Sequence, residues 1–192
     1  MEKARPGLLI ILSGPSGVGK GTIRHALMRD ESLNLVYSIS ITTRTPRNSE
    51  VDQVDYIFTS KHHFLDEIAK GNLLEWAEFV GNYYGTPRHF VDENREQGRN
   101  VLLEIEVEGA KQVLDKYQDD ERVISIFIVP PSLDSLVERI KGRHTESENI
   151  ILERLEKARK EINLQENYDY IVINDDVQAA IKEISSIIKA RM

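Results

Sequence analysis

Four largely apolar runs, at residues 8–12, 101–105, 123–129 and 170–173, punctuate the chain. They do not alternate with polar residues, as expected of strands that helices cover on both faces. Between them, residues 22–29, 109–117, 133–141, 150–162 and 177–190 carry apolar positions at helical spacing. Ser132 and Asp176 stand where their side-chain oxygens can cap the third and fifth of these helices. Strands alternating with helices predict a three-layer α/β core built on a mostly parallel sheet.

Two stretches break the rhythm. Residues 36–88 hold short strand-like pieces (37–41, 56–58 and 73–79), a helix near 62–70 and a hairpin-like Gly81-Asn82-Tyr83-Tyr84-Gly85. They predict a small inserted lobe. Residues 142–149 are polar and charged, and read as a flap between two helices. The expectation is one domain, 1–192, with core segments 1–35, 89–138 and 165–192, a lobe at about 36–88 and a lid at about 139–164.

Directly behind the first strand lies Gly14-Pro15-Ser16-Gly17-Val18-Gly19-Lys20-Gly21-Thr22. The glycines let successive N–H groups turn inward on a phosphate, Lys20 adds a point charge, and the next helix offers its positive end. Strand, glycine-rich turn and helix in this order form a P-loop, the signature of a nucleoside triphosphate site. The usual pattern places Ser or Thr after the lysine as a Mg²⁺ ligand. Here Gly21 occupies that position and the hydroxyl comes at Thr22, a form tolerated where phosphates and water hold most of the metal. The loop leans toward a kinase of small molecules over a GTPase switch.

Composition narrows the partners. A net charge of −7 argues against a broad nucleic-acid-binding face, which rests on phosphate neutralisation by Lys and Arg. With no cysteine there are no disulfides or thiolate metal sites, which suits a reducing cytoplasm. The charged N-terminus before an apolar run resembles a signal peptide, but that run is short and leads straight into the P-loop. No stretch approaches membrane-spanning length, so no membrane partner is expected. Oligomeric state leaves no mark in the sequence.

The lobe contains Ser40-Ile41-Thr42-Thr43-Arg44-Thr45-Pro46-Arg47, then Tyr56, Glu75 and Tyr83-Tyr84-Gly85-Thr86. Two arginines three residues apart, with tyrosine hydroxyls nearby, suit a phosphate dianion; the alternative is a solvated charged loop. With Thr42-Thr43-Arg44-x-x-Arg47, Gly81-Asn82-Tyr83-Tyr84-Gly85 and Pro130-Pro131-Ser132, the chain resembles the guanylate kinase family over essentially its whole length, from the P-loop to Val172-Ile173-Asn174-Asp175-Asp176.

That resemblance implies roles. Ser40, Arg44, Arg47, Tyr56 and Tyr84 fall where the family grips GMP, and Glu75, Thr86 and Glu106 where it reads guanine. Guanine presents N1–H and N2–H₂ side by side, so one carboxylate can accept from both. Such a site discriminates by roughly 10⁴ against a base lacking the donors. Glu104 and Glu106, two apart on a predicted strand, share a face. Glu104 then approaches Mg²⁺ or its waters, or else orders a P-loop lysine or arginine. Arg139, Arg143 and Arg154 match lid arginines that neutralise the transferring phosphoryl; surface ion pairing is the other reading for Arg154. Asn174 matches a position near the adenine of ATP.

Ser49, Gln53 and His144 stand where the family usually has glycine, each at a cost on the order of 1 kcal/mol if φ is positive. The expected activity is Mg²⁺-dependent transfer of the γ-phosphoryl of ATP to GMP. The rivals are a kinase for another nucleoside monophosphate and a non-catalytic module of the same shape.

Overall fold

The computed structural model describes residues 5–79, 81–142 and 148–192. The chain opens with β1 (Leu9–Ser13), α1 (Lys20–Leu27) and β2 (Leu35–Tyr37). β3 (Ile41–Thr42), β4 (Ile57–Phe58), α2 (Lys61–Ala69), β5 (Leu73–Phe79) and β6 (Asn82–Pro87) follow. Then come α3 (Arg88–Glu96), β7 (Asn100–Glu104), α4 (Val107–Lys116), β8 (Val123–Val129) and α5 (Leu133–Lys141). The chain closes with α6 (Glu148–Ile162), β9 (Tyr170–Ile173) and α7 (Val177–Arg191).

The central sheet runs β2-β7-β1-β8-β9, and every pairing in it is parallel. Successive side chains of a strand point to opposite faces. Leu8, Ile10 and Leu12 therefore pack on Ile23 and Leu27 of α1 and on Ala180, Ile184 and Ile188 of α7. Leu9 and Ile11 face the other way, toward Val91 of α3 and Ala110 and Val113 of α4. Burying each of the Leu, Ile and Val side chains among them contributes about 1.5–3 kcal/mol. Both faces thus clamp β1, and with it the loop at its C-terminal end.

The expected caps are in place. The Ser132 hydroxyl accepts from the Ser135 N–H at 3.1 Å, and the Asp176 carboxylate from the Ala179 N–H at 2.8 Å.

A second sheet, β4-β3-β6-β5, makes up the lobe. Ile41, Phe64 and Leu73 form its small core. Leu74 turns the opposite way and joins the main core beside Leu9, Ile11 and Val91. The segment 37–41, which alternates like one strand, is in fact divided between the sheets. The Ser38 N–H donates to Leu102 O in the main sheet at 3.1 Å, whereas Ser40 O accepts from Ile57 N–H of the lobe at 2.9 Å. The change of sheet therefore falls between Ser38 and Ser40. The glycine-flanked stretch is also more regular than a turn: Gly81, at φ 73°, ends the turn, and β6 runs straight into α3, a helix the apolar pattern does not reveal.

Candidate active site

The P-loop bridges β1 and α1, and Lys20 is the first residue of the helix. Gly19, at φ 101°, adopts a left-handed conformation, and a Cβ there would stand 2.6 Å from Asn174 Nδ2. That amide is buried and donates to Val18 O at 2.8 Å. Arg139 spans the same junction, donating to Asn174 O at 2.9 Å and to Val18 O at 3.4 Å. These two residues, expected at the adenine and the transferring phosphate, thus brace the loop from behind. Lys20 Nζ folds back on Gly14 O at 2.5 Å and Pro15 O at 3.2 Å.

A cavity of about 500 Å³ runs from this loop to the lobe. Ser16, Gly17, Gly19, Lys20, Gly21 and Thr22 border one end; Ser40, Arg47, Tyr56, Glu75 and Tyr84 border the other, and Glu104, Glu106 and Arg154 also line it. Residues expected on separate grounds to hold a triphosphate and a monophosphate thus face one space. Arg143 and His144 lie outside the described residues.

At the lobe end, Arg44 is held by Glu50 through two bonds of 2.9 and 2.8 Å, and lies over the rings of Tyr56 and Phe58. Arg44 keeps the Glu50 carboxyl below its usual range even though burial opposes it. Arg47 is largely exposed. Gln53 adopts φ 62°, so the left-handed conformation is retained without glycine; Ser49 shows no positive φ.

Glu75 is the most perturbed group of the cavity. It lies on β5 directly opposite Thr86 of β6, whose hydroxyl donates to its Oε1 at 2.5 Å. Burial raises its pKa to about 7, against the opposing influence of Thr86 and Lys116. Thr86 is itself buried, and so stands behind the carboxylate and aims it.

Glu104 and Glu106 both reach the cavity, but not from one strand face. β7 ends at Glu104, and Glu106 is the extended residue preceding α4. Glu104 pairs with Arg24 at 2.8 Å, and Arg24 lies 4.2 Å over the Tyr37 ring. Glu106 pairs with Lys157 of α6 at 2.6 Å, and Lys157 also approaches Glu161 at 3.5 Å and the Phe79 ring at 4.2 Å. Partial desolvation works against ionised Glu106, but Lys20 and Lys157 hold its pKa below the ordinary value. Burial and the facing Glu106 charge push Glu161 up to about 7.

Residues 7–191 match the sequence model of the guanylate kinase family. The chain belongs to this family. A guanylate kinase from Oceanobacillus iheyensis is 52% identical over 96% of this chain and 87% of its own length. One from Mesoplasma florum is also 52% identical, over 95% of this chain, which spans 60% of that longer relative. The crystal structure of guanylate kinase from Anaplasma phagocytophilum superposes with a TM-score of 0.80 at 35% identity, covering 97% of this chain and 86% of that one.

Within this guanylate kinase frame, the sequence alone does not single out Arg24, Glu50, Gly109, Lys157 or Glu161. Arg24, Gly109 and Lys157 act by touching a residue far along the chain, as Lys157 does Glu106, and no local spacing signals such a contact; Glu50 reaches Arg44 within its own loop. Gly109 carried one signal: a glycine inside an otherwise ordinary helical segment, for which a packing or functional reason is to be sought.

Proposed function

We propose that this chain transfers the γ-phosphoryl group of ATP to a GMP phosphate oxygen, breaking the β–γ phosphoanhydride and giving ADP and GDP. The observation that carries this reading is Glu75, a buried carboxylate at the far end of a cavity whose near end is a P-loop. N1–H and N2–H₂ of guanine satisfy that carboxylate together, while adenine leaves it unpaired.

In this reading Lys20 exchanges the loop carbonyls for β- and γ-phosphate oxygens, aided by the first-turn amides of α1. Ser40, Arg44, Arg47, Tyr56 and Tyr84 hold the acceptor phosphate. Glu50 keeps the Arg44 fork in one orientation before substrate arrives. Arg154 borders the same cavity and is assigned to neutralise the phosphoryl group as it crosses. Arg143 is proposed to join it. Arg139 acts by fixing Val18 and Asn174.

Thr22 and Glu104 offer the oxygen ligands that Mg²⁺ takes, and both border the triphosphate end of the cavity. Among the described residues no group of three or more His, Asp or Glu side chains is poised for a metal. Magnesium supplies neutralisation of the β- and γ-oxygens as charge shifts between them. Among the described residues no helix is long and apolar enough to cross a membrane.

A coupled assay of ADP formation with GMP, AMP, UMP and dTMP tests the assignment, with Lys20→Ala as control. GMP should be strongly preferred, and Lys20→Ala should lose at least about 100-fold in kcat. A preference for AMP, or full activity without Lys20, overturns it.

A further inference from the structure

We infer that Gly109 is a specificity-determining position: the side chain missing from the first turn of α4 leaves the seat that the Glu75 carboxylate occupies. A Cβ built on Gly109 would stand 2.2 Å from Glu75 Oε2, 2.9 Å from its Cδ and 3.4 Å from its Cγ. These three nearest atoms all belong to the one side chain, and none to the backbone.

The fold itself does not ask for glycine here. Gly109 is absent from the positive-φ glycines, and alanine is the better former of an α-helix. The neighbour that must yield to a methyl group is the far part of a flexible side chain, so the helix and the core lose little. Glu75, however, has nowhere neutral to go. Its Oε1 is tied to the Thr86 hydroxyl, its backbone is paired across to β6, and the preceding Leu74 is locked in the main core. A displaced carboxylate leaves the line on which it meets the donors of the base. Gly109 is thus a positioning residue acting through Glu75, and it borders the same cavity.

This inference rests on the reading that Glu75 accepts from guanine, and the experiment separates the two. Steady-state kinetics are measured for Gly109→Ala, Glu75→Gln and the double variant Gly109→Ala/Glu75→Asp, in which the acid is one methylene shorter. Gly109→Ala should raise KM for GMP about tenfold while kcat stays near the parent value, the pattern of lost uniform binding. Its KM for ATP and its melting temperature should not worsen. The double variant should bind GMP more tightly than Gly109→Ala alone, because the shorter acid makes room for the methyl group.

Should Gly109→Ala keep the parental KM for GMP while Glu75→Gln is impaired, Gly109 has no part in specificity. A Glu75→Gln variant with unchanged KM for GMP removes the base-reading role of Glu75, and the inference falls with it. Loss of GMP and ATP binding together, or a double variant no better than Gly109→Ala, marks a merely structural glycine and refutes the proposal.

Discussion

At Glu75, affinity and stability pull in opposite directions. A carboxylate must be ionised to accept from two base donors, yet burial raises its pKa from 4.5 to about 7. The folded chain therefore binds a proton there more tightly than the unfolded chain does. The stability this provides is complete below about pH 4.5 and is lost as the pH rises through about 7. Glu75→Gln should thus make the substrate-free protein more stable at pH 8 by about 1–3 kcal/mol, with the gain vanishing near pH 5. Urea denaturation at the two pH values checks this, and the same variant should raise KM for GMP at least tenfold. Gln53 allows a smaller test. Its φ of 62° suits glycine, so Gln53→Gly should relieve on the order of 1 kcal/mol of strain, partly offset by the greater freedom of glycine in the unfolded chain. Thermal melting should show a shift of no more than a few degrees.

Among elements, the P-loop depends on parts of the chain remote from it. Asn174 follows β9, and its amide holds Val18 O from the other end of the sequence. Removing it should leave that carbonyl with only the long bond from Arg139. Asn174→Ala is expected to cost about 1–3 kcal/mol in stability and to raise KM for ATP several-fold, leaving KM for GMP near the parent value. Denaturation and two-substrate kinetics separate these effects. The same scale shows what the sequence discloses. The strands of the main sheet are buried on both faces, so they are written as apolar runs and could be read directly. α3 could not: three of its inward positions are Val91, Asn94 and Arg95, and two polar residues in three erase the helical period. β3 and β4 are two residues each: the piece at 56–58 covers β4, whereas 37–41 reads as one strand what the fold divides between β2 and β3. The cavity residues were recognisable as motifs. The residues that aim them, such as Glu50 for Arg44 and Lys157 for Glu106, become visible only when the chain is folded.

For the whole molecule, the net charge of −7 coexists with a cavity on which Lys20, Arg47 and Arg154 present local positive charge to a phosphate-bearing ligand. Lys157 ties that arrangement together, since it reaches from α6 to Glu106 before α4 and to Phe79 of the lobe. Binding at the lobe end should therefore be felt across the protein. The chain's only tryptophan, Trp76, follows Glu75 and is partly exposed, so it reports on that end. Titration with GMP alone should change its emission, and ATP alone should do so far less. GMP at about 100 times its Kd should also stabilise the fold by about 2.7 kcal/mol.

Leu74 gives this arrangement a further meaning. One residue of β5 is packed into the main core and the next borders the cavity, where it is proposed to read the base. Mutations that repack the core around Leu74 would be transmitted, one peptide unit later, as altered substrate choice. Foldability and selectivity are thereby placed under a shared constraint, and a lineage of such proteins could not drift far in the first while keeping the second.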